Sequence, residues 1–299
     1  MGKLSLVLIA ALWSVTALAG NAARVGPSAF STLIGHWKVQ VEGEARLGEF
    51  AVYRLRAPAT DTVALEAGYG WADSYLTFVD ATCSLKNGRL QITITTPASS
   101  VIRAEAEQMD SNTFQGTFTD KFGNSKTIHI SRSVLDLSNI DRSFADEDKD
   151  YGVAPTRTLA TTYHQETPLS VPGASTIKTL ALKRLIDSAS PPIVIDVLGG
   201  TPGKRVVIPS AIWLGFDAGD GNVFAAEKAK FATVLSTLTN ADKSRAIAFY
   251  CLGVKCWLSY NASLRAVEEG YKNVYWYRGG WESWNAARLP FVKAEQFAW

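Results

Sequence analysis

Two cysteines five residues apart carry the chemistry this chain can do. The run Ala246-Ile-Ala-Phe-Tyr-Cys251 is apolar and β-forming and ends on a cysteine; Cys256-Trp257 opens a segment of helical periodicity. A sulfur between a strand end and a helix start faces unpaired backbone N–H groups and the positive end of the helix dipole. Such surroundings favour an anionic sulfur, thiolate or persulfide. A buried structural cysteine is the competing reading. The residues Leu252, Gly253, Val254, Lys255 and Cys256 would form the cradle of N–H groups around that anion, with Gly253 expected to turn at positive φ and Lys255 the one nearby side-chain cation.

Composition narrows the alternatives. The 299 residues allow two domains, and the net charge of +2 is scattered, with no basic stripe for nucleic acid. Three cysteines (Cys83, Cys251, Cys256) do not make a stapled scaffold. His36, His129 and His164 lie far apart without metal-ligand spacing, so no metal site is expected. Lys3 followed by the apolar run Leu4 to Leu18 and by Ala17-Leu18-Ala19 predicts a cleaved signal peptide over residues 1–19 and a periplasmic or secreted protein. The run is short for a bilayer span, so no transmembrane segment is expected in the mature chain. Export would put the cysteine pair in an oxidising space.

The elements that must position the cysteines follow from periodicity. Residues 30–134 read as an all-β domain: Trp37 to Glu42, Phe50 to Leu55 and Leu90 to Thr95 alternate with period two. Asn87-Gly88 signals a hairpin turn. Seven or eight strands without helical periods imply a sandwich or an up-and-down barrel. Residues 135–172 read as an interdomain linker, broken by Pro155, Pro168 and Pro172 and carrying an acidic run, Ser143 to Asp150, expected on the surface. From 173 to 292, helix and strand alternate: helices over 177–188, 224–238 and 256–269, strands over 192–197 and 246–250 and 273–277, an α/β pattern with a parallel sheet. Ligands of such sheets sit at the carboxyl ends of the strands, where Cys251 falls.

Several runs in this half resemble the rhodanese family. They are Val194-Ile-Asp196-Val, Ile208-Pro-Ser-Ala-Ile212, Phe249-Tyr-Cys251, Gly270 to Tyr275, and Arg278-Gly-Gly-Trp-Glu-Ser-Trp284 through Pro290. A narrower resemblance, carried by Cys256-Trp257-Leu-Ser-Tyr-Asn-Ala262 and Val274-Tyr-Trp-Tyr277, is to exported CXXCW proteins linked to PQQ-dependent alcohol catabolism, although here four residues separate the cysteines instead of two. Leu33-Ile-Gly-His-Trp37 and Gly116-Thr-Phe118 are similar to runs of lipocalin-like barrels. The β domain could then bind a small apolar ligand, dock a protein partner in the periplasm, or be purely structural.

The rhodanese resemblance implies a sulfurtransferase with Cys251 as nucleophile and persulfide carrier, needing no cofactor, a small sulfur donor and an acceptor left unspecified. It places Trp281 and Trp284, after the Gly-Gly turn, as possible substrate contacts. Asp196 would support the fold beneath the site. Two departures stand out. The family has Arg two residues after the strand aspartate where this chain has Leu198, and a terminal cation in its six-residue loop where this chain has Cys256. Cys256 opens a second class of function: a thiol–disulfide couple with Cys251, a thiol that resolves the persulfide by releasing sulfide, or an inert staple. A catalytically inactive rhodanese-fold binding module is the remaining alternative.

Overall fold

In the computed structural model, residues 30–59, 62–86, 89–96, 99–222 and 224–299 are described. The predicted signal segment and the Asn87-Gly88 turn lie outside them. Eight antiparallel strands form a closed barrel in chain order: β1 Gly35–Val41, β2 Gly48–Ala59, β3 Thr62–Trp71, β4 Thr77–Lys86, β5 Arg89–Thr95, β6 Val101–Asp110, β7 Thr113–Thr119 and β8 Ser125–Ser133. Alternation puts Val63, Leu65 and Ala67 of β3 inside, with Val79, Ala81 and Cys83 of β4. Closure of β8 on β1 (Val39 opposite Ile130) removes both sheet edges. A 3-10 turn over Ser31–Leu33 plugs one end. Its Leu33 carbonyl accepts from Trp37 Nε1 at 2.8 Å, and the Arg132 guanidinium covers the Trp37 ring at 4.1 Å.

The second half is a five-stranded parallel sheet flanked by helices. Its elements are β9 Ser175–Thr176, α1 Thr179–Ile186, β10 Ile193–Asp196, β11 Val206–Val207, β12 Ile212–Trp213, α2 Ala225–Thr239, β13 Ile247–Tyr250, α3 Leu258–Glu268, β14 Val274–Tyr277, α4 Gly280–Ala286 and β15 Val292–Lys293. The order β12-β10-β13-β14-β9 makes β13 the central strand. All four residues of β13 are buried, as a strand covered on both faces must be. The helix expected from Cys256 begins two residues later, at Leu258, so Cys256 belongs to the loop before it.

Two expectations about residues 135–172 need correction. The segment is no free tether: without a helix or a multi-residue strand, it straps itself to the sheet domain. Thr156 N–H donates to Tyr260 Oη (2.8 Å), Asn261 holds Ala160 from both amide atoms (2.9 Å each), and His164 forms a β-bridge with Cys256. Nor is the acidic run wholly solvated. Glu147 is buried and accepts from the N–H (3.0 Å) and hydroxyl (2.7 Å) of Thr179 at the start of α1. Three polar donors offset the loss of water there, since Phe144 N–H also reaches it at 3.3 Å. The Asn261-Ala-Ser263 sequon lies within α3 with Asn261 fully buried, closed to glycosylation.

The two halves meet across α4. Asn285 Oδ1 accepts from Leu76 N–H (2.9 Å) and its Nδ2 donates to Leu76 O (2.8 Å), pairing the β3–β4 turn as a strand would. Arg288 donates to Ala72 O (2.8 Å) and pairs with Glu49 (2.6 Å), and Phe291 packs on Tyr53 at 4.8 Å and on Trp281 at 4.9 Å. Asn285→Ala leaves both buried Leu76 groups without partners, at about 1–3 kcal/mol each. Urea unfolding should show a loss of roughly 2–6 kcal/mol; a loss near zero would mean that the interface does not hold the halves together.

Burial pushes the Glu147 carboxyl up to about 7, against the pull of the Thr179 hydrogen bonds. The folded chain therefore binds more protons than the unfolded one between the ordinary value of 4.5 and about 7. Stability then falls as pH rises through that window. Glu147→Gln should flatten this part of the pH–stability curve, measured by thermal melts; an unchanged slope would assign it elsewhere.

Candidate functional site

Cys251 follows the last residue of β13, at the carboxyl end of the sheet, and Cys256 is five residues on. Their Cα atoms are 6.3 Å apart and their sulfurs are joined as a disulfide. Both side chains are 1 % exposed. The loop between them is held by its carbonyls. Trp281 N–H donates to Cys251 O (2.9 Å) and Glu282 N–H to Leu252 O (2.8 Å), so α4 spends its free N-terminal donors on this loop. Val254 O accepts from both the N–H (3.1 Å) and the hydroxyl (2.7 Å) of Thr167. Cys256 N–H turns back to Gly253 O at 3.0 Å. The N–H groups of Leu252, Gly253, Val254 and Lys255 have no acceptor among the described residues.

Two glycines have close neighbours. Gly253 is not at positive φ, as the sequence suggested. A Cβ there would meet the Glu282 carboxylate, which would have to swing aside. Gly280 has φ +55°, and a side chain on it would strike the backbone of Cys251 and Leu252.

The cations around the loop are not where the sequence suggested. Lys255 is exposed and turned outward, paired with Glu166 at 2.9 Å. Behind the loop stands Arg278, 1 % exposed, whose Nε donates to Thr167 Oγ1 (3.0 Å) and Nη2 to Thr167 O (2.9 Å). It thus braces Val254 through Thr167. Asp196, at the end of β10, is fully buried. Its Oδ1 accepts from Leu198 N–H (2.8 Å) and its Oδ2 pairs with Arg205. Burial pushes its carboxyl up to about 6, with the Arg205 charge pulling it down. Arg205, nine residues on, thus supplies a guanidinium beside Asp196, where position 198 is Leu.

The tryptophans are corrected too. Trp284 is in the core against Tyr277, with Nε1 donating to Pro290 O at 2.7 Å. Trp281 packs on Phe291 at the barrel contact. Both side chains are used in packing rather than presented to the loop.

The residue that sequence reasoning missed is Ser259. Its Oγ is 3.1 Å from Cys251 Sγ and accepts from Trp276 Nε1 at 3.0 Å. Because the indole can only donate, the Ser259 hydroxyl proton is free to point at the sulfur. The second serine of the loop helix, Ser263, bonds back to Ser259 O (2.8 Å). The Cys-Trp-Leu-Ser spacing carried the signal: the first turn of a helix opening beside Cys256 brings its second residue back over the loop.

The half-buried Glu282 carboxyl, pushed up by burial, adjoins Gly253. Together these groups give the loop backbone N–H donors, one hydroxyl and an acidic neighbour, and no free side-chain cation.

Residues 179–287 match the family model described as the rhodanese-like domain. No curated protein matches the chain. Among solved structures, thiosulfate sulfurtransferase from Pseudomonas aeruginosa is 17% identical, over 42% of this chain and 21% of that one, with a TM-score of 0.32. EanB in complex with ergothioneine is 21% identical over 43% of this chain and 33% of that one, with a TM-score of 0.31. A redesigned β barrel, mFAP1 bound to DFHBI, is 15% identical over 34% and 95%, with a TM-score of 0.28. This chain spans only about a fifth of the thiosulfate sulfurtransferase and a third of EanB. The C-terminal half of the chain carries a rhodanese-like domain, with an eight-stranded antiparallel barrel seated against it.

Proposed function

We propose that the C-terminal domain is a sulfurtransferase that carries sulfur on Cys251 as a persulfide. The observation that supports this most is the loop itself: a cysteine at the carboxyl end of the central strand, followed by four N–H groups without acceptors. Such a nest stabilises an anion by converging dipoles. The Cys251 thiolate attacks the outer sulfur of a donor, the donor's S–S bond breaks, and its remainder leaves as an anion. The Ser259 hydroxyl steadies the thiolate. With Lys255 paired outward and Glu282 adjoining Gly253, a donor of lower negative charge than thiosulfate suits the site.

The disulfide favours a second step. After transfer, the Cys256 thiolate attacks the inner sulfur of the Cys251 persulfide. The S–S bond between Cys251 and the carried sulfur breaks, hydrosulfide leaves, and the Cys251–Cys256 bond forms. A dithiol then returns the pair to its reduced state. The charged start and apolar run of the first 19 residues support export, where an oxidised pair would persist. The Cys-Trp and Ser-x-Asn-Ala run supports kinship with the CXXCW proteins, as Ser259 touches the sulfur and Asn261 pins the strap.

Intact-mass measurement after reduction and exposure to glutathione persulfide or thiosulfate tests both steps. Wild type should release sulfide and end as the disulfide. Cys256→Ser should hold one added sulfur atom, and Cys251→Ser none. Equal sulfur transfer by wild type and Cys251→Ser sinks the proposal. A pair that is reduced only well below roughly −300 mV would be a structural bond instead.

Ser259→Ala probes the hydroxyl. A hydrogen bond to a charged sulfur is worth about 1.5–3 kcal/mol, so alkylation of reduced Cys251 at neutral pH should slow by roughly tenfold or more. Equal rates would show that Ser259 only packs.

A further inference from the structure

Inside the barrel is an apolar cavity of about 260 Å³, walled by residues such as Val39, Phe50, Ile92, Ile102, Phe114 and Phe118. Its floor is the Leu33 plug. Its rim lies at the opposite end, where Glu44, Trp71, Asp120, Asn124 and Lys126 stand. The space exists because inward positions are small: Ala104 lines it, and Ala67, Ala81 and Ala106 flank it in the barrel core. Wall residues Val39, Ile102 and Phe118 are only partly buried although they point inward. Protein interiors are otherwise close-packed, and a void of this size forfeits contacts along its whole lining.

The chemistry of the wall selects an occupant. Within it, the Tyr69 hydroxyl has no hydrogen-bond partner among the described residues, and burial pushes it up, so it stays protonated and free to donate or accept. The rim cation is already used: Lys126 pairs with Glu44, and Asp120 accepts from the N–H groups of Phe122 (2.8 Å) and Asn124 (2.9 Å). An anionic ligand would find no unpaired cation among the described rim residues, and a cationic one would have to leave water for an apolar wall. An apolar cavity of roughly 150 Å³ holds a benzene, so this one takes a molecule nearer the size of two fused rings.

We propose that the barrel binds an uncharged, mostly apolar molecule of that size, held by one hydrogen bond to Tyr69. The rim is the barrel end whose β3–β4 turn is seated on Asn285 and Arg288, so the ligand enters beside the rhodanese-like domain. The assignment rests on the barrel alone and stands whether or not Cys251 transfers sulfur.

The full chain with 1-naphthylamine as the probe tests it. Expected are one-to-one binding with blue-shifted emission, a raised melting temperature, and at least tenfold weaker binding of the sulfonated relative 5-aminonaphthalene-1-sulfonate. Tyr69→Phe should weaken the probe severalfold while leaving the fold intact. Ala104→Trp, or Ile102→Phe should the first fail to fold, should fill the cavity and abolish binding. No binding to wild type overturns the proposal, as does full binding to a folded cavity-filled variant. Equal affinity for the sulfonated probe overturns the assignment to an uncharged ligand.

Discussion

A helix of seven residues holds the two halves and the cysteine loop in one frame. The first N–H groups of α4 need acceptors, as at any helix start, and find them in Cys251 O and Leu252 O. Its other end offers Asn285 and, just beyond it, Arg288 to the β3–β4 turn of the barrel. Between the two, Trp284 is buried against Tyr277 and tied to Pro290 O, so the helix cannot slide along the sheet without breaking a buried indole bond. Gly280 is the sequence cost of this arrangement, since it stands where a side chain would meet the loop backbone. Loop, helix and barrel are therefore one mechanical unit, although they are far apart in sequence.

The electrostatics of the loop follow from where the cations are committed. Arg205 neutralises Asp196, Arg278 braces Thr167, and Lys255 faces Glu166. What remains for a sulfur anion is the backbone. In the proposed mechanism the four N–H dipoles and the Ser259 hydroxyl, which carry no net charge, would stabilise a thiolate or persulfide without drawing strongly anionic molecules from solution. Glu282 adds to that discrimination. A site built on dipoles is less sensitive to salt than one built on exposed cations, because screening acts on separated charges at the surface.

Much of this architecture was legible in the sequence because it is local. Period-two alternation exposed the barrel strands, and the switch to alternating helix and strand exposed the sheet. The position of Cys251 at a strand end needed only the apolar run before it. What escaped depends on contacts between distant residues. Arg205 reaches Asp196 by a turn that no periodicity records. The bonds of Arg278 to Thr167 and of Glu147 to Thr179 join the strap to the sheet domain across 111 and 32 residues. An acidic run reads as surface by composition, and only the fold shows that one of its carboxyls points inward. Gly253 was read for its conformational freedom, but its φ is not positive and what adjoins it is the Glu282 carboxylate. The two tryptophans were placed by their nearness in sequence to a turn, but the helix that begins at that turn buries Trp284 in the core and lays the Trp281 ring on Phe291.

The clamps also say how the cysteine pair can change state. The carbonyls of Cys251, Leu252 and Val254, and the Trp257 N–H on Tyr163 O, are all bonded to groups outside the loop. The Cys256 backbone is bridged to His164 as well. Breaking the disulfide therefore frees two side chains and leaves the backbone frame tied. Closing so short a loop restricts the unfolded chain less than a long one would, so the bond adds less to stability than a crosslink between distant segments. An interconverting pair needs this combination: a frame that keeps the two sulfurs within reach in both states, and a bond whose loss costs the frame little. A cysteine pair that served as a staple would gain more by joining distant segments, such as the strap and α4, which here are joined by the Ser283 hydroxyl on Phe144 O instead.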